Sequence, residues 1–73
     1  MNFKYSDRVR VINGFFQGMT GEVIDISVEV LVFTKTINIY KYQVKLNNNY
    51  VEKDEYIVRW INERDLEKIE RIN

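Results

Sequence analysis

Short runs in which apolar side chains alternate with polar ones dominate this sequence, and that period of two constrains the fold most. The run Asp7–Ile12, DRVRVI, places Val9 and Val11 on one side and Arg8 and Arg10 on the other. β-Branched residues at this spacing predict a half-buried strand whose arginines face water.

The remaining β-rich runs are Glu22–Phe33, Ile37–Leu46 and Glu55–Ile61. The first is longer than a typical strand of about 5–6 residues, which predicts a bend or bulge near Ser27. We predict that Glu29–Phe33 and Ile37–Tyr42 form a hairpin around a turn at Thr34–Thr36. A second turn is predicted at Asn47–Asn49, because asparagine tolerates the left-handed region.

The C-terminal run predicts a short turn that returns to the core. Asn62 is expected to cap one 3-10 turn over Glu63–Asp65, after which Leu66 and Ile69 bring apolar groups back. A helix from Glu63 to Arg71 is the alternative, since Glu, Arg, Leu and Lys are good helix formers. Trp60 is expected to lie in the core or at its rim. Several short strands without a long helical pattern indicate a small all-β barrel or sandwich.

Length and residue inventory limit the chemistry. The 73 residues suit one domain, 1–73. Cysteine and histidine are both absent, so no disulfide, thiolate zinc site or imidazole base is available. Carboxylate pairs such as Glu63 with Asp65 are expected to be solvated. We therefore predict no enzymatic activity, no cofactor and no metal.

Charge and hydropathy bear on the class of partner and on the cellular location of the chain. Eleven basic residues balance eleven acidic ones, whereas a dedicated nucleic-acid binder usually carries a basic surplus. No stretch approaches the ~18 apolar residues of a membrane span. The start, MNFKYSDRVR, lacks the apolar centre of a signal peptide. A cytoplasmic protein without a membrane partner is the resulting expectation.

The segment Tyr5–Ile26, YSDRVRVINGFFQGMTGEVIDI, resembles the KOW motif of NusG-type transcription elongation factors and of a large-subunit ribosomal protein. The motif has an alternating strand opened by an acidic residue, a glycine, an aromatic, and two glycines before a second strand. The matching positions are Asp7, Val9, Val11, Gly14, Phe16, Gly18, Gly21 and Val23. The resemblance implies an SH3-like barrel of about five strands. It also implies that Phe16 is a structural aromatic and that the chain binds RNA or protein without catalysis.

The remainder of the chain fits the same barrel in two registers. In the favoured one, YQVKL is a middle strand, and VRWINERDLEKI supplies the penultimate strand, the 3-10 turn and the closing strand. Residues 27–41 are then an inserted β-hairpin. In the other register, Val28–Phe33, VEVLVF, is the third strand and nothing is inserted.

Seven residues are candidates for partner binding. Phe15 is the exposed aromatic that the glycine-rich turn does not need, and it suits a base or a protein pocket. Arg8, Arg10 and Lys45 would form a basic strip, although a solvated sheet face is favoured by about two to one given the zero net charge. The full set is Phe15, Gln17, Arg8, Arg10, Lys45, Tyr40 and Tyr42.

The inserted hairpin carries much apolar surface, including Val30, Val32, Ile37 and Ile39. A free two-stranded ribbon is marginal in water, so its apolar side is expected to cover the barrel, with a second subunit or a partner as the alternative. The sequence favours an adaptor that binds a protein through barrel loops and the hairpin. An RNA- or DNA-binding accessory of transcription or translation, encoded by a phage or mobile element, is the alternative. A monomer or a weak homodimer through the hairpin is expected.

Overall fold

A computed structural model describes residues 2–47 and 56–69 of the chain. Its strands are β1 (Arg8–Val11), β2 (Thr20–Val32), β3 (Thr36–Asn47), β4 (Tyr56–Asn62) and β5 (Leu66–Lys68). A single 3-10 turn, Glu63–Asp65, links β4 to β5. The prediction of a small all-β fold with this turn is confirmed. The alternative helix does not form, because Leu66 already has extended backbone angles and starts β5.

The five strands form one antiparallel sheet in the order β4-β3-β2-β1-β5. The last strand therefore lies beside the first, and β4 and β5 are the two edges. Over the described ranges these edges share no ladder, and the 3-10 turn alone joins them. Among the described residues, β4 therefore has β3 as its one ladder partner.

The core occupies one face of the sheet. Val23 lies opposite Val44, and Val44 lies opposite Arg59 on β4, so one cross-strand row crosses the core side. The strand alternation that put Val9 and Val11 inside is confirmed, and Leu66 returns to the core as expected. The buried apolar side chains are Phe3, Val9, Val11, Val23, Tyr42, Val44, Leu46, Ile61 and Leu66.

The predicted bulge in β2 exists but lies earlier than Ser27. Val23 pairs with Val44 and Asp25 pairs with Gln43, so Ile24 is the extra residue. This reset keeps the Asp25 carboxylate on the outer face, where it accepts a hydrogen bond from the Ile26 amide at 2.8 Å. A regular alternation through Ile24 would turn that carboxylate into the core, where a charge is costly.

The loop between β1 and β2 is built around glycine. Gly14 and Gly18 both have φ of 92°, a region that L side chains avoid. The amide of Gly18 donates to the Val11 carbonyl at 2.8 Å, which closes the loop onto β1. Gly21 is needed for space, since a Cβ there would lie 2.3 Å from the Lys45 carbonyl oxygen.

β2 and β3 continue past the core as a two-stranded ribbon. Their pairing runs without a break from Ser27 opposite Lys41 to Val32 opposite Thr36. The predicted hairpin is therefore confirmed, and it consists of the outer halves of β2 and β3 themselves. The turn lies one residue before the predicted Thr34–Thr36, because Thr36 already pairs. The molecule measures 48 × 28 × 19 Å, elongated as a projecting ribbon requires.

Two expectations near the end of β4 are wrong. Trp60 is 47% exposed, because it alternates with the buried Ile61 and points to the outer face. The Asn62 side chain makes no capping hydrogen bond, and its Oδ1 is buried without a partner among the described residues. Of the predicted turn at Asn47–Asn49, only Asn47 is described, as the end of β3. The rest of that turn, and Glu55, lie outside the described residues.

Candidate partner-binding surfaces

The glycine-rich loop presents Phe15 to solvent and keeps Phe16 against the protein. Phe15 is 95% exposed, and its ring meets that of Phe16 edge-on with centroids 5.1 Å apart. Phe16 is half-buried at the margin of the core instead of filling it. The Arg59 guanidinium lies 5.6 Å from the Phe16 ring centroid. The loop therefore reaches the core side of β4. Gln17, one of the partner-binding candidates, is exposed on this loop.

The predicted basic strip is broken by acidic residues. Arg8 lies opposite Glu22, and Glu22 lies opposite Lys45 on the next strand. Arg10 pairs with Glu67, with Nη1 and Oε1 3.0 Å apart. This outer face of the sheet alternates in sign, which is the solvated surface that the zero net charge favoured.

Tyr42 belongs to the core, and its inclusion among the binding candidates was wrong. Its side chain is fully buried, edge-on to the Phe3 ring at 5.0 Å. The hydroxyl donates a hydrogen bond to the Glu63 carboxylate and accepts one from the Phe3 amide at 3.4 Å. Burial, reinforced by Glu63, raises the pKa of Tyr42 to about 12. The group ties the N-terminal segment and the 3-10 turn to β3.

Tyr40 remains accessible. It is half-buried at the base of the hairpin and lines a cleft. The cleft also holds Asn2, Glu29, Asn38, Ile39, Lys41, Asn62, Glu63 and Arg64. Its charges are mixed in sign, so it shows no preference for an anion or a cation.

A row of side chains on the outer face of β4 was missed by the sequence reasoning. Tyr56, Val58 and Trp60 are 50%, 38% and 47% exposed, and we call them the β4 outer row. The Lys45 ammonium lies 3.9 Å from the Tyr56 ring centroid, a cation–π contact. The alternation of apolar and polar residues could not predict which face of β4 is exposed, because the core-side face also carries apolar residues, Ile57 and Ile61.

The hairpin exposes its apolar face. Val28, Val30 and Val32 lie on one side of the ribbon and are 50%, 52% and 72% exposed; we call them the valine row. Phe33 at the tip is 77% exposed. The expectation that this face covers the barrel is wrong, because the ribbon projects beyond the core instead of folding over it.

Residues 2–47 and 56–69 hold no group of three or more His, Cys, Asp or Glu side chains that could bind a metal ion. In the same part of the chain, no helix has the length and apolarity needed to cross a membrane.

The fold and these surfaces define a small all-β domain with exposed aromatic and aliphatic side chains. Protein-family models, curated proteins and solved structures contain no match to the chain. The resemblance of Tyr5–Ile26 to the KOW motif thus stays a prediction.

Proposed function

We propose that this chain is a non-enzymatic adaptor that binds a protein partner through its hairpin, with Phe15 as a second contact. The observation that carries the proposal is the exposure of the valine row. Contiguous apolar surface of this kind marks interaction sites on small soluble domains. The proposal agrees with the KOW resemblance, whose family binds proteins or RNA.

The chemistry of the ribbon favours an apolar protein surface. The valine row faces Tyr40, Asn38 and Thr36 across the ladder, so this side of the ribbon carries no formal charge. Burial of apolar area against a protein partner stabilises the complex by about 25 cal/mol per Å². A nucleic-acid backbone presents charged phosphates, which bind basic side chains instead of an uncharged apolar face. An isolated two-stranded ribbon is only marginally stable in water. Contact with a partner would therefore also stabilise the hairpin itself.

Nucleic-acid binding is the second candidate, favoured by one observation. Tyr56 and Trp60 are exposed on one face beside Lys45, and aromatic rings near a cation suit single-stranded nucleic acid. The acidic residues Glu22 and Glu67 within the basic face argue against it.

The test of protein binding is a quantitative pull-down from lysate of the source organism, with mass spectrometry of the recovered proteins. The wild-type chain is compared with the double variant Val30→Thr/Val32→Thr, which keeps β-branched shape but adds hydroxyls. Ile37→Thr, 39% exposed on the opposite face of the same ribbon, is the matched control. We expect a defined protein to be retained by the wild type and by the control, and lost from the double variant. Equal recovery on all three chains would contradict the proposal.

Salt dependence tests the second candidate. If RNA binds through phosphates, its affinity falls steeply with salt, and Lys45→Ala lowers the log–log slope by about one. No retention on RNA at low salt, or a flat salt response, excludes that function.

A further inference from the structure

We propose that β4 is a second binding site, at which an extended acidic peptide segment adds to the sheet as a new strand. The inference deepens the proposed protein-binding role by naming a partner chemistry, and it uses residues outside the hairpin. The backbone of β4 would supply hydrogen bonds, and its two faces would supply side-chain contacts.

The first argument is that, among the described residues, β4 is the longer and more regular edge of the sheet, and it carries one of the usual protections, the Arg59 charge on its core side. It runs for seven residues, Tyr56–Asn62, and its pairing with β3 has no register shift. Proteins usually guard an edge strand with proline, a bulge, inward charges or a very short length. The opposite edge, β5, has three residues, of which Glu67 and Lys68 are charged. Only β4 therefore offers a long regular ladder.

The second argument is that both faces of β4 carry groups that an added strand would touch. On one face lies the β4 outer row. On the other, Arg59 stands over the Phe16 ring, with Phe15 edge-on to Phe16. Side chains of a strand alternate between faces, so an added segment would meet aromatic groups on both. Aromatic residues and arginine are the types that most often dominate binding energy.

Charge selects an acidic segment. Among the described residues no carboxylate lies within 4.0 Å of Arg59, whose Nη1 donates to its neighbour's carbonyl, Val58 O, at 2.9 Å. A carboxylate on the added strand would give that guanidinium an ionic partner. A second copy of β4 fits less well. Antiparallel pairing about Val58 would set Arg59 of each copy opposite Ile57 of the other, with two cations on one face.

The experiment is an NMR titration of the ¹⁵N-labelled full chain with a capped octapeptide of alternating glutamate and valine. Two control peptides accompany it, one with lysine for every glutamate and one N-methylated at alternate backbone amides. We expect shift changes centred on β4 and the Trp60 indole, at least about tenfold weaker binding of the lysine peptide, and no binding of the N-methylated one.

Variants assign the contacts. Trp60→Ala is expected to weaken binding about tenfold. Arg59→Gln should abolish the preference for glutamate over lysine while the ¹⁵N spectrum stays that of a folded chain. Val30→Thr/Val32→Thr should bind the peptide as the wild type does, so this site and the hairpin can fail separately. Equal binding of the two charged peptides, shifts centred on the valine row, or β4 broadening that follows protein concentration without peptide would each overturn the proposal.

Discussion

At the scale of single residues, Gly14 and Gly21 serve different needs. Gly14 is required for its left-handed backbone, and a Cβ there would meet open space. Gly21 has no such φ, but a Cβ would strike the backbone carbonyl of Lys45 on the neighbouring strand. A clash with backbone in a hydrogen-bonded ladder is harder to relieve than a strained φ in a surface loop.

We therefore expect Gly21→Ala to lower the free energy of unfolding by about 2–4 kcal/mol. Gly14→Ala, the matched control, should cost about 1 kcal/mol through φ alone. Urea denaturation followed by circular dichroism measures both. Equal losses would show that β2 and β3 separate locally to accept the methyl group.

The hydroxyl group of Tyr42 makes hydrogen bonds that stabilise the core. Tyr42→Phe removes the hydrogen bond to Glu63 and leaves the buried Phe3 amide without its acceptor. We expect a loss of about 1–2 kcal/mol in the free energy of unfolding. Tyr40→Phe, at an accessible site, should cost less, and chemical denaturation of the two variants compares them. A smaller loss for Tyr42→Phe would mean that water replaces the lost contacts.

The same hydroxyl gives stability a dependence on alkaline pH. The folded-state pKa of Tyr42 is about 12, above the ordinary value of 10.0, so folding favours the protonated form. Its contribution is complete below pH 10.0 and is lost as pH rises towards 12. We expect Tyr42→Phe to flatten this decline in urea unfolding measured across that range. An unchanged decline would assign it to other groups.

At the scale of elements, the hairpin is separable from the core. All the buried core residues lie outside residues 28–41, and the ribbon contacts the body at its base through half-buried Ile26 and Tyr40. The outer ribbon therefore contributes no side chain to the buried core.

We expect a chain in which Glu29–Ile39 is replaced by Asn-Gly to remain folded. The pair Val28 and Tyr40 would then close a two-residue turn that suits antiparallel strands. Dispersed amide signals in a ¹⁵N spectrum and a cooperative thermal transition check this, and the pull-down should lose the hairpin-dependent protein. A collapsed spectrum would mean that the ribbon nucleates or supports the sheet.

Local patterns predicted most elements of this fold, and their limits have physical causes. β1, the hairpin and the 3-10 turn followed from alternation and turn chemistry, which are encoded in neighbouring residues. The exposure of Trp60 did not follow, because both faces of β4 carry apolar side chains and only the tertiary position of an edge strand decides which is buried. The exposure of the valine row was predicted only as the alternative to packing against the barrel, because the direction in which a ribbon leaves the core is set by the whole sheet.

At the scale of the whole molecule, exposed apolar side chains form continuous rows, whereas charges of opposite sign are interspersed. Opposite charges alternate across the outer face of the sheet, whereas the valine row and the β4 outer row are continuous. Electrostatic steering by a molecule of zero net charge is weak, so association through these rows depends on short-range contact.

We expect the chain to be monomeric in dilute solution and to self-associate weakly at high concentration through the valine row. Exposed apolar patches drive such association when no partner competes for them. Sedimentation velocity over a concentration series measures it, and Val30→Thr/Val32→Thr should suppress it while Ile37→Thr does not. A stable dimer at all concentrations would contradict this expectation.

The two edges of the sheet are unequal. β5 is short, and its charged side chains pair with β1 and its preceding turn, Glu67 with Arg10 at 3.0 Å and Lys68 with Asp7 at 3.9 Å. Among the described strands, only β4 is a long strand at an edge of the sheet. Fibres grow when each added unit presents a fresh edge, which requires two competent edges per molecule. Because β5 is not a second competent edge, strand addition at β4 would not by itself link copies of this chain into a fibre.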